Sequence, residues 1–526
     1  VRAQRAFVRA GPGLYVAAVA ALTAAALAAL ATPVLRGAHP PAVAAVGILL
    51  SLLPASAVAV ALLNWGVTQL RPPRVLPRLD FRDGLPAGCE TAVVVPCLLS
   101  DAGEVDELLA HLELNWHGNQ DPRIRFALLA DFTDAAERDM PGDAALLHRA
   151  EQGVRALNAR HGQGEQPFLL LHRGREWNAA QGCWMGWERK RGKIEDFNAL
   201  VLGGPSRLSV RVGDATALRE VRYAVTLDAD TFLPRDAARR LVGTLAHPLN
   251  RAVFDARGRV AAGYTVLQPR VELLPTSTAR TPFARVFEGD RGVDLYTRAV
   301  SDVYQDLFGE GNYAGKGIYD VPAFQRSLAG RVPENALLSH DLFEGVHGRA
   351  ALVSDVAVYE DFPAHPLAWL RRLHRWVRGD WQLLPWLAPR VPAAGGGRAP
   401  NPLSFLDRWK VADNLRRSLV GLSLLLLLAA GWTAFPAPGW WTAVGLAVLG
   451  TPVLLGVTRY SFWFLGEARP DQERTRFLSQ LAEGDLTTTV GPRYEGHGDV
   501  RRLILSLRRA LSVSFHFASN PSSRYR

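Results

Sequence analysis

Cysteine is scarce in this chain. Only Cys89, Cys97 and Cys183 occur in 526 residues, an odd number whose spacing matches no metal-binding or redox motif. That pattern suits free thiols in a reducing compartment. Nucleotide-fold fingerprints are missing too: neither GxGxxG nor GxxxxGK-S/T follows the first apolar strand. No zinc-finger, RNA-binding aromatic or basic-zipper pattern is present, so the net charge of +10 has no nucleic-acid signature behind it. With 48% hydrophobic and 21% charged residues, the chain is neither disordered nor collagen-like.

What is there is strongly segregated. Leu14–Leu35 and Ala42–Trp65 are apolar runs of the length that crosses a bilayer core. Two more runs, Ser418–Phe435 and Trp440–Val457, lie near the other end. The first is too long for a signal peptide and a second span follows at once. Arginine and lysine gather beside these runs, at Arg2, Arg5, Arg9, Arg71, Arg74, Arg78, Arg408, Lys410, Arg416 and Arg417. That favours an anionic membrane over nucleic acid as the partner of the positive charge. The positive-inside rule then puts the N-terminus, the region 70–416 and the chain after residue 458 in the cytoplasm. Arg501–Phe517 alternates basic and apolar residues and is expected to form an interfacial or an ordinary packed helix. Three regions are expected: 1–70 with two spans, 71–400 cytoplasmic, and 401–526 with an interfacial helix, two spans and a cytoplasmic end.

The central region has the pattern of an α/β fold. Thr91–Leu98, Ile124–Ala130, Phe168–His172 and Tyr223–Leu227 are short apolar runs expected to be strands, and Val105–Trp116 has helical spacing. Alternating strands and helices imply a mostly parallel sheet, with ligands beyond the carboxyl ends of its strands. Asp131 and the pair Asp228/Asp230 are expected there.

Five segments carry chemistry. Asp228-Ala229-Asp230 places two carboxylates where a strand runs out, a donor set for Mg²⁺ or Mn²⁺ that could neutralise a diphosphate. Trp187–Lys193 sets four cations around a glycine, suited to phosphate or to a solvated turn. In Leu338–Gly345, Asp341 sits among apolar residues that could tune it for base work, or it caps a helix starting near Leu342. In His374–Gln382, Trp376 and Trp381 could stack on a sugar, or lie on an interfacial helix. Phe308–Gly317 has four glycines in nine residues, a loop for close backbone approach to an acceptor or phosphate.

Taken in this order, the segments resemble the inverting, processive GT-A glycosyltransferases of the cellulose-synthase and chitin-synthase type. The resemblance covers about residues 90–385 and the flanking spans. The strings GCWMGWERKRGKIEDFN (182–198), AVSDVYQDLFGEGNYAGKGIYDV (299–321) and LLSHDLFEG (337–345) are similar to the glycosyltransferase region of cyclic β-1,2-glucan synthases. This implies a GT-A-like α/β domain inserted between transmembrane helices. It also implies UDP-glucose as donor, a growing β-1,2-linked glucan as acceptor, and the inner membrane of a Gram-negative bacterium.

By the same resemblance Asp131 contacts the uridine and Lys193 the diphosphate. Asp228 and Asp230 bind the metal, Asp341 is the general base, and Arg375 and Trp376 end a QxxRW element that holds the diphosphate and the acceptor. Trp376 and Trp381 are the expected acceptor residues. The chain departs from the pattern at Arg372, where QxxRW has Gln, and at Ser339-His340-Asp341, where cellulose synthases have Thr-Glu-Asp. Cyclic glucan synthases also carry a phosphorylase-like region, here expected on a separate domain or protein. They start chains on a tyrosine, for which Tyr296, Tyr304, Tyr313 and Tyr319 are the candidates. Three rivals remain: a truncated or inactive membrane glucan-assembly protein, a transferase for another polysaccharide, and a nucleotide-sugar enzyme of another class. The three retained carboxylates Asp228, Asp230 and Asp341 weigh against an inactive protein.

Overall fold

The computed structural model describes residues 2–33, 40–162, 166–287, 302–337 and 339–466. Tyr296 and the Arg501–Phe517 segment lie outside the described residues. Residues 1–453 form one compact unit. Of the second, 454–526, the described part is the end of the last helix.

The centre is a nine-stranded sheet. Its strands are β1 (Thr91–Leu99), β2 (Ile124–Phe132), β3 (Phe168–His172), β4 (Ser209–Val212), β5 (Tyr223–Thr226), β6 (Thr231–Phe232), β7 (Val266–Leu273), β8 (Gly317–Asp320) and β9 (Ala351–Glu360). Their spatial order is β4-β3-β2-β1-β5-β8-β7-β9-β6. β1, β2, β3, β5, β7 and β9 point one way, and β4, β6 and β8 run against them. The sheet is therefore mostly parallel and mixed, as the alternating pattern implied.

Both faces of the sheet are covered, which is why its strands are near-continuous apolar runs. Odd and even residues serve different cores. Val93, Val95, Phe126 and Leu128 pack under α3 (Ala102–Gly118), α4 (Asp143–His161) and α6 (Ala237–Ala246). Ala92, Val94, Ala127 and Leu129 pack under α5 (Arg189–Val201) and α8 (Val321–Leu328). α3 begins three residues earlier than its apolar spacing suggested, because Asp101 caps it by accepting from the Glu104 N–H at 2.9 Å.

Among the described residues, four helices are long and apolar enough to cross a membrane: α1 (Arg2–Leu30), α2 (Pro41–Leu70), α11 (Phe405–Thr433) and α12 (Pro438–Gly466). They are knitted by few polar contacts. Tyr15 donates to Asn64 at 2.7 Å, Ser423 to the Leu50 carbonyl at 2.8 Å, and Arg416 to Ser56 at 3.1 Å. Trp441 is fully buried, seated against Gly431, where a Cβ would come within 2.4 Å of its ring. Leu425, Leu446, Leu449 and Val453 stay mostly exposed.

Between these helices and the sheet lies α7 (Val303–Phe308). Its Tyr304 packs edge-on against Tyr15 of α1 and accepts from Trp409 of α11 at 3.1 Å. The remaining helices used below are α9 (Asp341–Gly348) and α10 (Pro366–Gln382).

Candidate active site

Sheet register, rather than chain proximity, assembles the site. β5 ends at Thr226, and a tight turn follows in which the Thr231 N–H donates to the Asp228 carbonyl at 3.0 Å. β8 runs antiparallel beside β5 with Gly317 opposite Thr226, so Lys316 emerges next to Asp228. β9 ends at Glu360, opposite Thr231. Asp228, Asp230, Lys316 and Glu360 thus meet at one edge although they are up to 132 residues apart in the chain, 360 less 228.

Asp228 is gripped on both oxygens. Lys190 Nζ donates to Oδ1 at 2.5 Å, and Lys316 Nζ lies 3.0 Å from Oδ2. Lys316 also pairs with Glu360, and Lys190 donates to the Gly315 carbonyl at 3.0 Å. Burial alone would raise the Asp228 pKa, but the two ammonium groups hold it well below the usual carboxylate range. Asp230 has no such lysine pair, and its pKa rises through burial. The Arg372 guanidinium stands 3.7 Å from Asp230 and 3.8 Å from Glu360. It fills the place where the QxxRW pattern has Gln.

Lys190 reaches Asp228 because α5 starts unusually. Glu188 and Arg189 both adopt left-handed backbone, with φ of 50° and 49°. Few non-glycine residues do so, and such strain gathers at functional sites. One turn along α5, Lys193 is buried and turned to the sheet. Its ammonium donates to the Cys97 carbonyl at 2.6 Å and lies 3.3 Å from Asp131.

Asp131 is the penultimate residue of β2, inside the strand rather than beyond it. Arg173 clasps it through two bonds of 2.7 and 3.0 Å, and binds Asp196 of α5 at 2.8 Å. Gly186 closes over the pair, since a Cβ there would come within 2.3 Å of Asp131 Oδ2. In this conformation Asp131 and Lys193 form a sealed layer beneath the site, and Lys190 is the lysine that faces it.

Asp341 is the first residue of α9. His340 is the N-cap and makes no side-chain capping bond, and Asp341 is an acidic residue of the first turn. It is partly exposed, with His340 Nδ1 at 3.6 Å. His340 is itself buried and lies 2.8 Å from Glu344. Burial would lower the His340 pKa, but Glu344 and Asp341 together raise it. One ligand atom from each of the three lies within 4.8 Å of the others, so this trio is a second place able to hold a cation.

Gly315 joins Asp341 to the lysine cluster. Its φ is +79°, and a Cβ would sit 2.5–2.9 Å from the Asp341 carboxylate atoms. The same residue's carbonyl accepts from Lys190. The glycine-rich loop therefore lies against both acidic centres. Gly315→Ala is expected to cost about 1–2 kcal/mol in backbone strain and to push Asp341 aside. Turnover should fall roughly 10²-fold, the cost of an ångström-scale misplacement, as measured by steady-state kinetics. A variant as active as the parent would show that this contact does not set the position of Asp341.

The remaining expected residues lie on α10 and diverge. Trp376 packs edge-on against Trp369 at 5.9 Å, with Arg372 over its ring. Trp381 donates its indole N–H to Ser418 of α11 at 3.1 Å. Arg375 is exposed. An open groove is lined by Gln181, Arg189, Asn335, Arg378 and Gln382.

The Asp228/Asp230 pair offers hard oxygen donors, and Asp230 keeps part of its side chain exposed, with Arg372 at 3.7 Å and Lys316 acting on it through space. Such a pair fits Mg²⁺ or Mn²⁺ once a lysine gives up its hold on Asp228.

No protein-family model matches the chain. Over 388 residues it is 45% identical to the cyclic beta-(1,2)-glucan synthase NdvB of Rhizobium meliloti (strain 1021). This chain is related to a region of a cyclic β-(1,2)-glucan synthase. That is the group its three long strings resemble. The aligned stretch takes in 73% of the chain but 13% of the rhizobial protein, so the chain spans a small part of the relative it matches.

Proposed function

We propose that this chain is a membrane-bound, inverting glucosyltransferase that uses UDP-glucose to extend a β-1,2-linked glucan. The observation that carries this reading is the meeting of Asp341 with the Asp228, Lys190 and Lys316 cluster across Gly315. One acidic group with a free carboxylate and one lysine-rich acidic pair are the parts a single displacement needs. The first takes a proton and the second receives a departing diphosphate.

Asp228 and Asp230 would hold Mg²⁺ or Mn²⁺, which when bound supplies positive charge to the diphosphate. Lys190, Lys316 and Arg372 add charge at the same edge. Asp341 takes the proton from the acceptor 2-hydroxyl as that oxygen attacks the anomeric carbon, and the bond to UDP breaks on the opposite side. The groove between Gln181, Asn335 and Gln382 offers amides for the hydroxyls of the growing chain. Trp376 and Trp381 are the aromatic residues nearest in sequence to that wall of the groove, and the uridine role expected of Asp131 would need its carboxylate uncovered from Arg173 and Gly186.

The four apolar helices and the flanking arginines support an inner-membrane location with the sheet domain on the cytoplasmic side. A phosphorylase-like domain or protein would be needed for chain-length control.

The test is incubation of membranes containing the chain with labelled UDP-glucose and Mg²⁺ or Mn²⁺, followed by linkage analysis. A β-1,2-linked product is expected. A polymer of another linkage would transfer the reading to a different polysaccharide, and intact UDP-glucose beside measurable binding would point to an assembly protein.

A further inference from the structure

The charges at the strand-end cluster come close to balance. Asp228, Asp230 and Glu360 face Lys190, Lys316 and Arg372, and Asp341 acts on Lys190 from across Gly315, four anions against three cations. Both Asp228 oxygens are taken by ammonium groups, so neither is open to a divalent cation. A divalent cation arriving alone must displace at least one lysine and turn the cluster's net charge from negative to positive. A cation arriving with a diphosphate brings its own counter-charge. The phosphate oxygens then give the displaced lysines new partners.

We propose that Lys190 and Lys316 lock Asp228 against the cation, so that metal and nucleotide diphosphate bind as a coupled pair. The inference rests on the assignment of Asp228 and Asp230 as the cation-holding residues. Although Lys190 sits closer to Asp228, at 2.5 Å against 3.0 Å, Lys316 is the more constrained half of the lock. It is largely buried and tied to Glu360 as well as Asp228, so it can release Asp228 and keep one partner. Its backbone is fixed, because Gly317 beside it packs so closely that a Cβ would meet the Leu267 carbonyl at 2.1 Å. Lys190 keeps the Gly315 carbonyl when it lets go. The cost to the molecule of opening is thus confined to two side chains. Linkage then requires that UDP tighten the cation and the cation tighten UDP by the same factor.

The experiment is Mn²⁺ titration of the full chain in detergent, following free Mn²⁺ by electron paramagnetic resonance, with and without UDP. The wild-type chain should bind Mn²⁺ weakly alone and roughly 5–150-fold more tightly with saturating UDP, the usual span of such couplings. Lys316→Met should bind Mn²⁺ tightly without UDP, and the coupling should shrink. Lys190→Met should shift the same way and stands in if the first variant does not fold, as judged by its thermal midpoint. Where calorimetry shows UDP bound, equal Mn²⁺ affinity with and without it in the wild type would overturn the lock. So would coupling left unchanged in both variants, or no Mn²⁺ binding by any form with UDP bound. If UDP does not bind but both variants gain Mn²⁺ affinity, the lock stands and the nucleotide-sugar reading falls.

Discussion

Asp341→Asn is expected to lower glucosyl transfer by about 10²–10⁴-fold, the contribution of a positioned general base, while UDP binding stays as it was. The substitution keeps the shape of the side chain and removes only its ability to take a proton. The structure supports the separation of effects. The lysine pair bonds Asp228, whereas Asp341 makes no bond to either lysine and acts on Lys190 only through space, with Gly315 between them. Asp341 pairs with His340 at 3.6 Å, longer than a hydrogen bond, and caps no helix. The folded state therefore has little to lose, and the thermal midpoint should hardly move. The check is turnover against labelled UDP-glucose, set beside UDP affinity from calorimetry. Turnover near the parent value would remove Asp341 from the base role. A matching loss of UDP affinity would make it a binding residue instead.

The two halves of the site differ in how far they could be seen in the sequence, for a physical reason. Asp131, Asp228 and Asp230 follow short apolar runs, and a doubly covered sheet makes those runs conspicuous. Lys316, Glu360, Arg173 and Arg372 carry no such local signal. They arrive through pairings that chain order does not show: antiparallel β8 inserts between β5 and β7, and β9 pairs with both β7 and β6. Tandem cations posed a finer problem. Lys190 and Lys193 are one helical turn apart, and which one faces Asp228 depends on the left-handed Glu188 and Arg189. Glycine spacing at 309–317 announced close backbone approach, and Gly315 makes that approach to Asp341. The tyrosines show the limit of proximity in sequence. Tyr304, Tyr313 and Tyr319 are all buried, and Tyr319 donates to Asn198 at 2.9 Å, so none presents a hydroxyl to solvent for chain initiation.

Arg173→Met should destabilise the chain by about 3–5 kcal/mol, the cost of removing one partner from a buried ion pair. The side chain is 1% exposed and makes bonds to Asp131, Asp196 and the Arg189 carbonyl. Together with Lys193 it forms a quartet of two carboxylates and two cations. Without Arg173, Asp131 is left with Lys193 at 3.3 Å and Asp196 with Arg207 at 3.4 Å, and Met can replace the volume but not the charge. Arg173→Lys should recover part of the loss, because an ammonium restores the charge but not the fork that holds Asp131 through two parallel bonds. The effect should reach function through α5. Arg173 ties the end of β2 to Asp196 and to the Arg189 carbonyl, one residue before Lys190. Loosening that tie should release Lys190 from its place beside Asp228 and weaken UDP binding in whatever fraction stays folded. Thermal unfolding in detergent measures the first effect and calorimetry the second. An unchanged midpoint for Arg173→Met would mean that water enters and solvates the quartet, and the layer under the site would then be an open one.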